Sequence, residues 1–374
     1  MFRFIITIVY ILPLVYVFVR MWKLLIPKGY KISYTLIFIV MASLYPVFNL
    51  FLDIKSESIF YFSVRILELI APYFLVFFLY IFLIILLFDI FLLLNKFFHI
   101  VSRPVLKNSR IKTKAFILIV LLSVSIVIAG SIHFNTIRTS HYQIEIPKRS
   151  SQMNDLRIAF AADFHLQENT SIHFVERFVE KINAIQPDLM LFGGDIVEGD
   201  GNTDKQAQFE KLIREIKSTY GTFGVIGNHE IYGGKKTEQF FKEAGIRLLK
   251  DTIEVVNNSV NLIGRYDQHK NDRLSLKELL EQSRDTLPVI MLDHRPTEIS
   301  QVSDTRVDMQ LSGHTHNGQL FPFNLITKSI YPLSWGYEEI NDTHFFVTSG
   351  IRLWGPRVRT TGVSEIMVID VRFK

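Results

Sequence analysis

The stretch Asp188–Asp195, which reads DLMLFGGD, indicates the class of fold. Its four central apolar residues are typical of a buried strand, and the two glycines allow a tight turn before Asp195. The same pattern recurs in the second part of the chain, where apolar runs end in the polar clusters DFH, GNHE, LDH and SGHTH. Segments with helical spacing separate these runs. Strands that alternate with helices predict a layered α/β domain.

Hydrophobic periodicity predicts the other elements of this part. Helices are predicted in SIHFVERFVEKINAI and SLKELLEQSRD, over Gln206–Thr219 and over Lys236–Ala244. The segment YQIEI, which begins at Tyr142, predicts a first short strand. The last apolar segments, THFFVTSGIRL and SEIMVIDVRF, alternate between apolar and polar residues and predict a pair of antiparallel strands.

The polar clusters are candidate metal ligands. In open α/β sheets, ligands bind beyond the carboxyl ends of the strands, so we expect the clusters to meet at one rim. Asp163 and His165 are two residues apart and would point to the same side of an extended backbone. Separate polar turns are the alternative, but their recurrence at five strand ends favours a common site. The candidates are Asp163, His165, Asp195, Asn228, His294, His314 and His316.

The types of ligand limit the choice of metal. Carboxylate, imidazole and amide oxygen without sulfur suit Mn, Fe or Zn. Seven candidates are too many for one tetrahedral ion, and they fit two divalent ions that share a bridging carboxylate about 3.5–4 Å apart. The chain contains no cysteine. Disulfides, thiolate metal sites and a cysteine nucleophile are therefore excluded.

The order of these motifs resembles the calcineurin-like metallophosphoesterase superfamily. D-x-H, G-D, G-N-H, H and G-H-x-H follow one another, and the resemblance covers about residues 140–374. The runs GHTHNGQL and VTSGIRLWGPRVRTTGVSEIMVIDV are similar to the bacterial branch with membrane-anchored and secreted members. The resemblance implies a four-layer α/β/β/α sandwich with a dinuclear metal site.

The resemblance also implies a role for each candidate residue. One ion is expected to be held by Asp163, His165 and His316. The other ion is expected to be held by Asn228, His294 and His314. Asp195 is expected to bridge the two ions, and His229 to face the leaving group. The sequence departs from the family at GDIVE, where Glu198 replaces the usual Asp, and at LDHRP, which differs from the usual H-N-P but keeps His294.

This site predicts hydrolysis of phosphomonoesters or phosphodiesters. Two cations generate hydroxide near neutral pH, and the hydroxide attacks phosphorus in line. The metals and Asn228 offset the charge that grows on the phosphoryl oxygens. His229 then donates a proton to the departing oxygen. The alternative function is a membrane sensor or binding protein that recognises a phosphorylated ligand at the metal site without turnover.

The first part of the chain is predicted to be an all-α transmembrane region over residues 1–133. A crossing helix needs about 20 apolar residues. Four spans are expected, at about residues 2–19, 33–52, 69–94 and 115–132. A signal peptide is the alternative for the first stretch, but no small-residue cleavage site follows it. A linker with the first strand is expected over residues 134–154, and the phosphoesterase domain over residues 155–374.

The distribution of charge predicts partners and orientation. Residues 1–133 carry 13 Lys/Arg and 4 Asp/Glu, whereas residues 134–374 carry 28 and 32. The mildly acidic second part disfavours a nucleic-acid partner. The loops after the first and third spans are rich in Lys and Arg, which predicts that they are cytoplasmic and that the catalytic domain lies on the outer side of the cell membrane. Scarce polar residues in the spans disfavour a transporter.

Two features bear on the substrate. The segment LFPFNLITKSIYPLSWGY, from Leu320 to Tyr337, is rich in aromatic residues. It forms either an apolar lip that leans on lipid or a loop that buries its aromatic rings, and membrane lipids and lipid-linked phosphoesters are the partners expected of such an anchored enzyme. Arg352, Arg357 and Arg359 are candidates for phosphate binding or for structural roles.

Overall fold

The computed structural model describes residues 2–50, 61–198, 204–233, 236–353 and 355–374. The chain divides into two compact units. The first unit consists of Met1–Ile132 with Gly355–Val358, and the second of His133–Trp354 with Arg359–Lys374.

The first unit is helical. Its helices are α1 (Phe2–Leu24), α2 (Lys31–Leu50), α3 (Tyr61–Phe98), α4 (Arg103–Lys107) and α5 (Ser109–Asn135). Within the described residues, the segments Lys28–Val47, Phe62–Phe98 and Ser109–Asn135 are long and apolar enough to cross a membrane. They contain most of the second predicted span and all of the third and fourth, while the first lies in α1. Residues 51 and 52 of the second span, and the loop from 53 to 60, lie outside the described residues.

Apolar packing and one ion pair connect the helices of this unit. Val17 and Met21 of α1 pack with Ile81 of α3 in a common core. Arg20 donates its Nε–H to the carboxylate of Asp89 over 2.6 Å. The charge of Asp89, which lies in the apolar stretch of α3 from residue 69 to 94, is therefore paired within the helical unit.

The second unit contains twelve strands and seven helices in the described residues. The strands are β1 (Ile137–Ile146), β2 (Asp155–Ala161), β3 (Leu189–Phe192), β4 (Thr222–Gly224), β5 (Arg247–Leu248), β6 (Thr252–Val256), β7 (Val260–Gly264), β8 (Val289–Leu292), β9 (Met309–Ser312), β10 (Gly336–Ile340), β11 (Thr343–Val347) and β12 (Ser364–Phe373). The helices are α6 (Ile172–Ile185), α7 (Gln206–Arg214), α8 (Asn228–Gly233), α9 (Lys236–Glu243), α10 (Leu276–Gln282), α11 (Ile299–Val302) and α12 (Phe323–Ile330).

The strands form two mixed six-stranded sheets. The first sheet has the order β1-β12-β2-β3-β4-β5, and the second has the order β10-β11-β9-β8-β7-β6. β2, β3 and β4 are parallel neighbours in the first sheet, and β7, β8 and β9 are parallel neighbours in the second. Parallel neighbours end at the same edge, so each sheet has one edge where consecutive strands finish together.

Three apolar clusters separate four layers. Side chains from both sheets, such as Phe160, Leu191 and Leu292, form the core between the sheets. α6, α7 and α9 cover the outer face of the first sheet, whereas α10 and α11 cover that of the second. The predicted α/β/β/α sandwich is confirmed.

Helix α6 illustrates how the sequence positions these layers. Its buried side chains are Phe174, Val175, Phe178, Val179 and Ile182, a spacing of three and four residues that places them on one face. The helix ends where Gln186 takes a left-handed conformation with φ 51°. The stripe predicted from the sequence is the face that packs on the first sheet.

The predicted pairing of the last two apolar segments is wrong. β11 lies between β10 and β9 in the second sheet, whereas β12 lies between β1 and β2 in the first. All five residues of β11 are buried, as are eight of the ten in β12. Each strand therefore takes an interior position in its own sheet, where both faces are covered.

Candidate metal centre

Five strand ends carry the polar side chains of the predicted site. In the first sheet, Asp163 follows β2, Asp195 follows β3, and Asn228 with His229 follows β4. In the second sheet, His294 follows β8, and His314 with His316 follows β9. The strands within each set are parallel neighbours, so the residues after them lie at the same edge.

The structure brings the Asp and His residues at these strand ends together into three overlapping groups. Within each group, the potential ligand atoms all lie within 4.8 Å of one another. The groups are Asp163, His165 and His316; His165, Asp195 and His229; and Asp195, His294 and His314. Asp195 and His165 each belong to two groups, so the three groups form one continuous cluster. Such a cluster is compatible with a dinuclear metal site.

The carboxylate of Asp195 lies at the centre of the cluster. Its Oδ2 is 3.2 Å from Nε2 of His294 and 4.0 Å from Nε2 of both His165 and His229. The side chain of Asp195 is almost completely buried. One carboxylate therefore faces three imidazoles at the centre of the cluster.

Unpartnered polar atoms show that the residues fit a bound cation. Nε2 of His165 and Nε2 of His316 lie 3.3 Å apart, and Nδ1 of His316 is buried without a hydrogen-bond partner. Nε2 of His294 and Oδ1 of Asn228 are buried without a hydrogen-bond partner. A buried polar atom without a partner costs about 1–3 kcal/mol. Ligation of a metal satisfies such atoms.

The backbone at the site differs from the extended conformation expected for Asp163 and His165. Asp163 has φ 57° and His165 has φ 45°, and Asp195, His314 and His316 are also left-handed. The reason is that β2 ends at Ala161, after which the loop runs alongside the turn that follows β3. The N–H of Asp163 donates to the carbonyl of Gly194 over 2.9 Å, and that of His165 to the carbonyl of Asp195 over 3.0 Å.

These left-handed residues concentrate conformational strain at the site. A residue other than glycine in this region costs of order 1–3 kcal/mol, and such residues cluster at functional sites. Here they aim imidazoles and carboxylates from the three loops after β2, β3 and β9 at one point. The strain is held in place by hydrogen bonds such as those from the N–H of His314 to both carboxylate oxygens of Asp163, at 3.1 Å.

The pKa shifts favour the metal-binding protonation states of His314, His316 and Asp195. His294 is shifted towards its protonated form, because burial opposes protonation but Asp195 and Asp163 raise its pKa to about 10. Burial lowers the pKa of His314 to about 3. Burial and the nearby His165 hold the pKa of His316 well below its ordinary value. Burial opposes the ionisation of Asp195, but the imidazoles of His294, His165 and His229 hold its pKa well below the usual range. His314 and His316 are therefore neutral near pH 7 and Asp195 is ionised, which are the protonation states that bind metal.

Glu198 connects two histidines of the cluster. Its carboxylate lies 2.8 Å from Nδ1 of His165 and 2.9 Å from Nδ1 of His229. A carboxylate at Nδ1 assigns the proton to that nitrogen and directs Nε2 into the cluster. The departure from the family pattern at this position therefore leaves a carboxylate that orients both rings.

Glu230 is a positioning residue that the sequence analysis missed. Its buried carboxylate accepts hydrogen bonds from the N–H groups of Asp195, Ile196 and Val197, and from that of Gly227 over 2.7 Å. It thereby joins the turn that carries Asp195 to the turn that carries Asn228. A Cβ atom at Gly227 would overlap the Asp195 carboxylate. The signal in the sequence is the acidic residue directly after GNH.

Arg352 and Arg359 contact backbone carbonyl groups and aromatic rings of the protein itself. The guanidinium of Arg359 is buried and donates to the carbonyl groups of Ser349, Gly350, Arg352 and Val363. That of Arg352 lies over the rings of Phe134 and Phe174, 5.0 and 4.9 Å from their centroids. These two arginines therefore hold loops and aromatic side chains in place.

The aromatic segment after the histidines buries Leu320 and Leu333 but leaves most of its aromatic rings exposed. It forms α12, which has no buried residue, and Phe321, Phe323 and Trp335 are exposed. Tyr331 is half-buried, and its ring centroid lies 6.1 Å from that of His314. Of the two arrangements expected for this segment, the structure has the exposed one, directly beside the metal centre.

Comparison with known proteins agrees with this geometry. Residues 156–318 match the family model for calcineurin-like phosphoesterases. This domain belongs to that family. The matched residues contain all five strand ends of the candidate metal centre. The resemblance expected from the order of the motifs is confirmed.

Curated relatives of this chain include bacterial and animal proteins. An uncharacterised metallophosphoesterase of Helicobacter pylori is 34% identical over 219 residues, which cover 57% of this chain and 58% of the relative. One of Campylobacter jejuni is 28% identical over 62% of each chain. A bovine transmembrane protein with metallophosphoesterase domain is 25% identical over 60% of this chain and 55% of the relative. The chain thus spans less than two thirds of the length of these relatives.

Among solved structures, a sulfate thiohydrolase of Thermus thermophilus in complex with glycerol has 13% sequence identity and a TM-score of 0.34. That match covers 58% of this chain and 56% of the other.

Proposed function

We propose that the protein is a membrane-anchored, metal-dependent phosphoesterase. The single observation that carries this proposal is the convergence of three overlapping Asp/His groups, two of which share Asp195, at the edge where parallel strands end. The family of the domain supports phosphoester hydrolysis. The three segments long and apolar enough to cross a membrane, together with the transmembrane relative, support the anchor.

Two divalent ions, Mn, Fe or Zn, would be held by the predicted ligands. In this proposal Asp163, His165 and His316 hold one ion. Asn228, His294 and His314 hold the other. Asp195 contacts both. When bound, such ions supply hydroxide near neutral pH and neutralise the phosphoryl oxygens of a substrate.

The chain itself supplies orientation and a proton. Glu198 accepts a hydrogen bond from Nδ1–H of His229, so Nε2 of His229 is directed towards the cluster, where it lies 4.0 Å from Asp195. A protonated Nε2 in that place donates to the oxygen of the leaving group. The side chain of His229 is partly accessible, whereas that of His165 is completely buried. This difference fits a proton donor that a substrate must reach.

The catalytic domain is proposed to face the outer side of the cell membrane. The support for this orientation is the excess of Lys and Arg in the loops after the first and third of four proposed spans. Domain boundaries at residues 1–133, 134–154 and 155–374 belong to the same proposal. Phosphoesters of the envelope are then the substrates within reach.

The test is hydrolysis of bis(para-nitrophenyl) phosphate by the purified full chain in detergent. Metal-stripped protein is expected to be inactive, and Mn²⁺ is expected to restore turnover. His294→Ala removes a predicted ligand and is expected to abolish activity, whereas His173→Ala on α6 changes an imidazole that is 75% exposed and is expected to leave it intact. Metal uptake without turnover of any phosphomonoester or phosphodiester would favour the binding protein instead.

A further inference from the structure

The exposed apolar side chains of the second unit are concentrated in one segment. Among the described residues from 133 to 374, Tyr232 is the single exposed large apolar or aromatic residue outside residues 321–337. The six most apolar of that segment are between 39% and 64% exposed. They are Phe321, Phe323, Leu325, Ile326, Ile330 and Trp335. Soluble surfaces rarely group large apolar side chains in this way without a partner.

This segment is attached to the loop that carries the metal ligands. The turn His316–Gly318 packs so closely on α12 that a Cβ atom at Gly318 would overlap the backbone of Asn324. The hydroxyl of Thr315 donates to the carbonyl of Ser334, which lies beyond the far end of α12. The exposed side chains are therefore held beside His314 and His316.

The composition and the charge of the segment fit a lipid surface. Residues 321–337 contain no Asp or Glu and a single charge, that of Lys328. Phe, Leu, Ile and Trp next to Lys are the residues by which an amphipathic helix lies in the interface of a bilayer with anionic lipids. Aromatic rings such as that of Trp335 favour the level of the headgroups.

The chain also contains candidate membrane segments that would place the second unit next to a bilayer. The candidate membrane segment Ser109–Asn135 is followed by β1 from Ile137. The remaining exposed large apolar residues of the described chain lie between Ile11 and Ile132, in the part that contains the candidate membrane segments. Large apolar side chains on the surface of such a segment are expected to face lipid rather than water.

We infer that residues 321–335 form a membrane-docking surface that enters the headgroup layer of the bilayer beside the metal centre. The substrate class follows if the proposed function holds: the metal centre acts on phosphoesters of lipids in that bilayer. A lipid headgroup then reaches the cluster without leaving the interface, because its acyl chains stay among the side chains of α12.

Docking is tested without reference to activity. The chain has no cysteine, so Ile326→Cys and Gln282→Cys each provide one site for an environment-sensitive fluorophore. Gln282 is an exposed residue of α10 and serves as the matched control. The full chain is placed in nanodiscs of phosphatidylcholine and phosphatidylglycerol. The label at 326 is expected to shift to shorter wavelength and to be quenched by brominated acyl chains, and the label at 282 to remain accessible to water.

Other outcomes overturn the inference. A label at 326 that is as accessible to water as the label at 282 shows that no surface covers α12. A label that is shielded but not quenched by brominated lipid, in a particle with two copies of the chain, assigns α12 to a dimer interface. Because these readouts do not need turnover, docking can hold even where the proposed enzymatic function fails.

The substrate class is tested by comparing two phosphoesters. Leu325→Glu and Ile326→Glu are expected to lower hydrolysis of a phospholipid in the nanodisc by about tenfold to a hundredfold, since each removes one aliphatic side chain from lipid. Hydrolysis of soluble bis(para-nitrophenyl) phosphate is expected to stay within about twofold, because neither residue lies in the metal cluster. Gln282→Glu adds the same charge on α10 and is expected to change neither. Equal losses on both substrates, or none on the lipid, would exclude this substrate class.

Discussion

Replacement of Glu198 by Gln is the sharpest test of how the imidazoles are oriented. The wild-type carboxylate accepts from Nδ1 of His165 and from Nδ1 of His229 at 2.8 and 2.9 Å. Glutamine keeps the size of the side chain but has one oxygen in place of two. One of the two Nδ1–H groups then faces an NH₂ donor, so its ring must rotate or move its proton to Nε2.

The size of the expected loss in metal affinity and turnover follows from the hydrogen bonds that change. A group that orients a metal-binding histidine is typically worth about 10–100-fold in metal affinity or activity. The carboxylate is mostly buried, with 26% of its side chain exposed, so solvent does not replace the lost hydrogen bond. We therefore expect Glu198→Gln to weaken Mn²⁺ binding by about tenfold through His165 and to lower kcat at saturating Mn²⁺ by about a hundredfold through His229.

The assay is a Mn²⁺ titration of activity on bis(para-nitrophenyl) phosphate, with metal content measured on the same samples. Glu198→Asp is expected to retain more activity than Glu198→Gln, since it keeps two carboxylate oxygens. The matched control is Glu176→Gln, which alters a solvent-exposed His–Glu pair with His173 on α6. Wild-type kcat and Mn²⁺ affinity in Glu198→Gln would refute the orientation of His165 and His229 by this carboxylate.

Four further outcomes are expected. His229→Ala should retain metal, as determined by elemental analysis, and lose about 10²–10⁴-fold in turnover of a poorly activated ester; unchanged turnover would remove His229 as the proton donor. Asp195→Asn should lose both metal and activity because it weakens the one carboxylate shared by two groups, and a variant with full metal content would contradict the bridging role. Glu230→Gln should lower stability by about 1–3 kcal/mol, since an amide has one oxygen for four backbone donors; thermal melting of the full chain measures this, with the exposed Glu238→Gln as control. Removal of metal by a chelator should lower the melting temperature, because ligand at a hundred times its Kd stabilises by about 2.7 kcal/mol, and an unchanged melting curve would argue against a metal centre.

The sequence alone determined the class of the fold and predicted the members of the candidate site. The strands are short apolar runs in the sequence, and each strand that precedes predicted metal ligands ends in a polar cluster such as GGD or GNHE. This pattern is local. A buried strand needs apolar residues, and the residues directly after its carboxyl end can contact a ligand. The four layers and the family were expected from the order of these motifs.

Contacts between distant residues were decided only by the tertiary structure. Sequence periodicity does not state which sheet a strand joins, so β11 and β12 were expected to pair although they lie in different sheets. The left-handed backbone of Asp163 and His165 depends on hydrogen bonds to the turn that carries Gly194 and Asp195. The sequence analysis also missed the role of Glu230, whose function is visible only once two turns meet.

The exposure of α12 has the same origin. A segment as apolar as LFPFNLITKSIYPLSWGY is compatible with burial or with exposure, because local pattern states how apolar a helix is but not what lies against it. In the folded unit the turn His316–Gly318 supports one side of α12, and no residue of the helix is buried. Local sequence therefore determined which residues are apolar and which can ligate, whereas packing of segments far apart in the chain decided which of them face water, lipid or metal.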